Sequence, residues 1–157
     1  MDALTVRFGP ADVTAPGVAD LIATHKAALR LHYDEEDCHA LDTTALAEAE
    51  AQMHAAWDGD TVRAVGGLKP LGEGQVELKS MFTSEAARGR GVASGLLAHL
   101  LEAARTSGHS EILLEAGRSD DYAAPARALY ARAGFAECPP FGDYVDRPAS
   151  IFMHRDL

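Results

Sequence analysis

Between Thr83 and Gly108 a strand-like ending, a loop with two glycines and two arginines, and a regular helix follow one another without a break. This succession restricts the folds open to the chain more than any other feature. Val92, Leu96, Leu100 and Ala104 recur every four residues, with Leu97 and Leu101 beside them, so an apolar stripe runs down a helix that Gly108 stops. The loop in front, Thr83-Ser84-Glu85-Ala86-Ala87-Arg88-Gly89-Arg90-Gly91-Val92-Ala93, delivers the chain to the helix start. There glycines let backbone N–H groups approach an anion without a Cβ in the way. The unpaired first-turn donors carry about half a positive charge, and arginine adds forked donors. The segment predicts an anion cradle suited to a pyrophosphate. The plainer alternative is a tight turn with two solvated arginines.

Two known phosphate loops do not fit. A Walker A loop requires Gly, four residues, then Gly-Lys-Ser/Thr, and no lysine follows Gly91 or Gly95. A dinucleotide fingerprint requires Gly-x-Gly-x-x-Gly directly after a strand. Gly89-Arg90-Gly91-Val92-Ala93-Ser94 ends in serine and stands several residues beyond Thr83.

Around this unit the pattern alternates strands and helices. Leu4 to Phe8 reads as a strand stopped by Gly9-Pro10, and Val13 to Leu31 as an amphipathic helix with Pro16 in its first turn. The acidic run His32 to His39 reads as a loop, and Thr43 to Glu50 as a second helix. Asp58-Gly59 between Met53–Trp57 and Thr61–Lys69 is a hairpin signal. Pro70-Leu71-Gly72-Glu73-Gly74 is expected to break the chain before a strand from Gln75 to Thr83. Strict alternation along that strand puts Val76, Leu78, Ser80 and Phe82 on one face and Glu77, Lys79, Met81 and Thr83 on the other. Ile112–Glu115 is a buried strand, Pro125–Ala133 a short helix ended by Gly134, and Ser150–Arg155 a final strand after the turn-rich Pro139-Pro140-Phe141-Gly142. The order predicts an α+β fold, a mixed sheet flanked by helices.

The chain has 157 residues, 47% of them hydrophobic, which suits one domain, residues 1–157. Its 14 Lys and Arg against 24 Asp and Glu give a formal charge of −10, with no basic stretch able to track a nucleic-acid backbone. No apolar run reaches the ~20 residues of a membrane span and no signal peptide is legible, so a cytoplasmic location is expected. A homodimer stays open. Cys38 and Cys138 lie far apart with no Cys-x-x-Cys, which predicts free thiols.

The motifs resemble the GCN5-related N-acetyltransferase (GNAT) family. Its signature of Arg or Gln, two residues, Gly, one residue, then Gly or Ala is matched by Arg88, Gly91 and Ala93. A second mark, Tyr followed by Gly-Phe, is met by Tyr130-Ala131-Arg132-Ala133-Gly134-Phe135. The resemblance covers Trp57 to Leu157 well and the N-terminal helices loosely. His39-Ala40-Leu41-Asp42, Glu77-Leu78-Lys79-Ser80-Met81, Pro125 to Tyr130 and Pro139 to Tyr144 look like the YsnE-type bacterial branch. One departure stands out. Many members carry an Asn just before the short helix that bonds the cofactor, and here Ala123-Ala124-Pro125 occupy that stretch.

The resemblance implies an enzyme that moves an acetyl group from acetyl-CoA, as co-substrate and without a metal, directly to a primary amine of a small molecule or peptide. It implies that the main chain of Met81, Phe82 and Thr83 holds the pantetheine arm. Arg88, Gly89, Arg90, Gly91, Val92 and Ala93 would hold the pyrophosphate. Tyr130 becomes the acid that protonates the departing sulfur, its ordinary pKa near ~10 keeping it protonated at neutral pH. Glu77, on the expected face of Met81 and Thr83, is a candidate base, or else pairs only with Lys79 at a sheet rim. His32, His39, Lys79 and Tyr144, with Asp143, are candidates to face the acceptor. His32, Asp34, Glu35, Cys38 and His39 match no structural zinc spacing, so no metal is expected. The competing class is a non-catalytic acyl-CoA-binding sensor module, which would bind CoA without turning over any amine.

Overall fold

A computed structural model describes residues 5–118 and 120–157, the side chain of Asp120 excepted. Seven strands form one sheet in the order β1-β2-β3-β4-β5-β7-β6. Their ranges are β1 Val6–Pro10, β2 Gln52–Asp58, β3 Thr61–Gly72, β4 Gln75–Thr83, β5 Glu111–Gly117, β6 Ala136–Cys138 and β7 Ser150–Asp156. Every pairing is antiparallel except β4 with β5, which α3 (Val92–Thr106) joins as a crossover. Helices α1 (Pro16–His32) and α2 (Thr43–Glu48) cover one face; α3 and α4 (Asp120–Arg132) cover the other. The expected α+β class is therefore the observed one.

The four-residue repeat does in the fold what it predicts. Val92, Leu96, Leu97, Leu100, Leu101 and Ala104 of α3 are all buried. Each fully buried leucine contributes roughly 1.5–3 kcal/mol by leaving water. Gly66 of β3 lets this helix sit close, since a Cβ there would come within 2.8 Å of Leu100 Cδ1 and 3.0 Å of Met81 Sδ. At the far end Gly108 N–H bonds Arg105 O and His109 N–H bonds Ala104 O, a Schellman closure around a left-handed glycine.

Several expected boundaries move. Leu4 lies outside the described residues. β3 runs on through Pro70 to Gly72, because β2 ends opposite Leu68 and leaves that part of β3 with a free edge that proline tolerates. The turn is only Glu73-Gly74, both at positive φ, as a two-residue hairpin requires. α4 starts at Asp120 rather than Pro125, with the proline inside it, and α2 stops at Glu48. The three-residue edge strand β6 is a separate element that the sequence pattern does not announce.

The largest correction concerns β4. Val65 pairs with Phe82 but Gly67 pairs with Lys79, so β4 uses three residues where β3 uses two. Ser80, at φ 56, is the extra residue. A bulge reverses the alternation beyond it. Met81 consequently packs with the α3 core, whereas Phe82 joins the α1 core together with the face that carries Glu77 and Lys79. Glu77 and Lys79 do not share a face with Met81 and Thr83.

Candidate active site

β4 and β5 pair only over Gln75–Glu77 and Glu111–Leu113. Beyond those residues the two strands separate, and a cleft of about 740 Å³ opens between them. The bulge at Ser80 lies on the part of β4 that has left its neighbour.

One end of the cleft is the loop before α3. Gly91, at φ 79, is the N-cap and supplies no side-chain cap. None of the amides from Gly89 to Ala93 donates to a described backbone acceptor, so these donors are free for an anion at the positive end of the helix. A Cβ at Gly89 or Gly91 would meet nothing within 4 Å, which marks open space above the turn. Arg88 is not loosely solvated: its Nε donates to Thr83 O at 3.2 Å and its guanidinium lies 5.4 Å from the Phe82 ring centroid. Arg90 is exposed and does not line the cleft.

The α3 face of the gap holds Tyr130 of α4, 8% exposed and set edge-on to Phe135. Tyr130 lines the cleft, and its hydroxyl makes no hydrogen bond among the described residues. Burial, with the Glu115 charge in support, pushes its phenol far above the ordinary value.

The α1 face holds a polar network built by three distant segments. Tyr144 Oη donates to Glu77 Oε2 at 2.6 Å, and Lys79 Nζ donates to Tyr144 Oη at 2.7 Å and to His39 O at 3.3 Å. Lys79 Nζ also stands 3.4 Å from Glu77 Oε2. Burial and Glu77 together push the Tyr144 phenol far up, so it remains a donor. Next to this network His39 Nδ1 lies 3.2 Å from Glu115 Oε1, an ion-pair approach off the line of an ideal hydrogen bond. Arg147 ties the two loops that carry His39 and Tyr144, pairing with Asp37 and, at 2.8 Å, with Glu36.

Met81, Phe82, Thr83, Arg88, Gly89, Gly91, Val92, Ala93, Glu77, Lys79, His39, Tyr144 and Tyr130 all line this one cleft. His32 does not: it is exposed and stacks on Tyr122, ring centroids 4.0 Å apart. Asp143 is exposed and outside the lining as well.

Two further residues of the lining are ones to which the motifs do not point. Glu115 ends a run that reads as a buried strand, and a charge directly after the apolar Ile112-Leu113-Leu114 is the signal that marks it. His25 lies within α1 with no motif around it. Its ring stacks on Phe82 at 5.0 Å, its Nδ1 is sealed from solvent without a partner, and burial drives its pKa down to about 4.

Cys38 and Cys138 are free thiols, each pushed up mainly by burial. No described helix is long and apolar enough to cross a membrane.

The sheet is thus split, with free helix-terminal amides at one end of the gap and a buried tyrosine beside it. Residues 19–135 match the model of the acetyltransferase (GNAT) family. The chain is 37% identical over 146 residues to the uncharacterised N-acetyltransferase YsnE of Bacillus subtilis, covering 93% of this chain and 96% of YsnE. It is 36% identical over 146 residues to the uncharacterised N-acetyltransferase YedL of Escherichia coli, covering 93% and 91% of the two chains. A Bacillus subtilis acetyltransferase solved in complex with CoA superposes with a TM-score of 0.74 at 17% identity over 98% of this chain and 99% of that one. The chain belongs to the GNAT family and is an N-acetyltransferase.

Proposed function

We propose that the chain transfers an acetyl group from acetyl-CoA directly to a primary amine of a small molecule or peptide. The observation that carries this reading is that the free amides at the start of α3, the unpaired edge of β4 and Tyr130 all open into one cleft. Direct transfer needs the thioester, its leaving sulfur and the amine to meet in one space. The amides of Gly89 to Ala93, with Arg88 anchored beside them, suit a diphosphate. The edge of β4 from Met81 to Thr83 suits an amide-bearing arm lying along it as an extra strand. The CoA complex of the Bacillus subtilis neighbour supports the same use of this fold. Ala123-Ala124-Pro125 offer no side chain for the contact that an asparagine makes in many members, so here the backbone amides carry more of the binding.

Tyr130 remains protonated well beyond neutral pH and faces the cleft with an uncommitted hydroxyl, which suits a proton donor to a departing thiolate. The acceptor enters on the α1 face, between the His39 loop and Tyr144. Glu77 anchors Tyr144 and Lys79 there, and the local charges of Glu77 and Lys79 offset one another.

The test is release of CoA thiol, read with a thiol-detecting reagent, over amino acids, polyamines, aminoglycosides and peptide N-termini. Acetyl-CoA-dependent turnover with at least one amine is expected. Binding of CoA with no turnover of any amine would leave only the binding-module alternative, and failure to bind acetyl-CoA would overturn the proposal.

A further inference from the structure

An ammonium acceptor must lose a proton before its nitrogen can attack the acetyl carbon, and a role for a base in this chain rests on the transfer reaction proposed above. Glu77, the carboxylate expected to take that proton, is 2% exposed, and its Oε2 already accepts from Tyr144 and faces Lys79. Protonating it would cancel the negative charge on which both contacts draw and leave a buried ammonium without its counter-charge. His39 is placed differently. Its Nδ1 is sealed from solvent against Glu115 Oε1. Its Nε2, on the opposite edge of the ring, has no partner among the described residues, and the residue lines the cleft. Tyr144 packs edge-on against the imidazole at 5.3 Å and holds its orientation.

We infer that His39 is the general base for the acceptor amine and that Glu115 is its positioning residue, the two forming a carboxylate–imidazole dyad on the α1 face of the gap between β4 and β5. A carboxylate on Nδ1 keeps the proton on that nitrogen and leaves Nε2 as the basic atom. The Glu115 carboxylate, first by its contact and then by its charge, and the charge of Asp37 raise the imidazole pKa, while burial and the Lys79 charge lower it; the balance lies above the ordinary value. The remaining polar neighbours are Glu77, offset by Lys79, the Tyr144 phenol and the neutral His25. An imidazole whose proton affinity is raised in this way, with Nε2 uncommitted, suits this work.

Glu115 and Tyr130 belong to opposite faces of the sheet and flank the same opening. The amine is therefore deprotonated on one side while the thiol leaves on the other. One ammonium N–H bond breaks and its proton moves to His39 Nε2. The nitrogen lone pair forms the C–N bond, the C–S bond breaks, and Tyr130 gives its proton to sulfur. The second nitrogen proton, shed as the amide forms, restores Tyr130, and the imidazolium returns its proton to water.

The experiment has two arms. In the first, NMR titration of the imidazoles in the wild type and in Glu115→Gln should show His39 titrating above its ordinary pKa of about 6.5 as the Nδ1–H tautomer, and moving down in the variant. In the second, kcat/KM is followed against pH with the acceptor that gives the highest rate in the thiol-release panel. His39→Gln should lower it about 10²–10⁴-fold and abolish the His39 limb of the profile. Glu115→Gln should shift that limb to lower pH, and imidazole should rescue His39→Ala in part. Stabilisation of each variant against heat by acetyl-CoA shows that the fold and the cofactor end are intact. The inference is overturned if His39 titrates at or below its ordinary value, or if His39→Gln keeps the wild-type pH profile and changes only the acceptor KM. Absence of turnover in the wild type counts against the transfer reading, and the NMR arm still decides the dyad.

Discussion

The Tyr144 hydroxyl donates to Glu77 Oε2 at 2.6 Å across 67 positions of chain, and this bond lies on the α1 face of the cleft. It ties the loop after β6 to the middle of the sheet, and Lys79 joins it through the same hydroxyl. Removing it in Tyr144→Phe leaves Glu77 and Lys79 each short of a partner in a buried place. A loss of about 1–3 kcal/mol of stability is expected, read as a lower urea midpoint with an unchanged slope. Combining it with Glu77→Gln should cost less than the sum of the two single changes, since both remove one interaction. Strict additivity would show that the two groups are not coupled.

Tyr130→Phe removes a hydroxyl that makes no described hydrogen bond and keeps the ring that packs on Phe135. Stability should change by less than about 1 kcal/mol. If the hydroxyl is the proposed proton donor to the thiolate, the turnover number should fall by about 10²–10⁴-fold with the acetyl-CoA KM little altered. The deficit should shrink with a thioester whose thiol has a low pKa. A wild-type rate in this variant would reduce Tyr130 to packing.

Gly91 caps α3 at φ 79 with open space above it. Gly91→Val therefore acts in two ways. A β-branched residue in the left-handed region costs roughly 1–2 kcal/mol, and its side chain stands where an anion would approach the free amides. Affinity for acetyl-CoA, measured by calorimetry, should fall strongly while the fold persists. Arg88→Ala should weaken it less, in a salt-dependent way. Unaltered affinity in both variants would mean that the loop only shapes a turn.

His25 makes stability depend on pH. Its folded pKa of about 4 lies below the ordinary 6.5, so between those values the unfolded chain binds more protons than the folded one. Folding stability from this group is complete above about pH 6.5 and is lost as pH falls towards 4, by up to about 3 kcal/mol. His54, lowered mainly by burial, works in the same direction. His39, raised by Glu115, works in the opposite one: its contribution is full below about 6.5 and is lost as pH rises through its folded value. His25→Phe keeps a ring against Phe82 and should flatten the urea midpoint between pH 7 and pH 5. An equally steep loss in that variant would assign the dependence to other groups.

Residues close in sequence determined the helix α3, its glycine ends, the two-glycine loop before it and the Tyr-to-Gly-Phe unit, because each is set by local spacing and backbone freedom. The apolar repeat from Val92 to Ala104 needs no partner to be read. The hairpin at Asp58-Gly59 is legible for the same reason. The tertiary structure alone decided the face on which Glu77 and Met81 lie, since alternation assumes an unbroken strand and nothing about Ser80 as a residue type announces the bulge at which β4 slips against β3. It also decided how far β3 runs, because proline at position 70 is acceptable only where β2 has ended. Above all it decided the polar network on the α1 face of the cleft. His39, Glu77, Lys79, Glu115 and Tyr144 come from four separated segments, and their pairing follows from where β4 and β5 part. Charge, hydrogen bonding and burial act over ångströms in space, and separation along the chain carries no record of them.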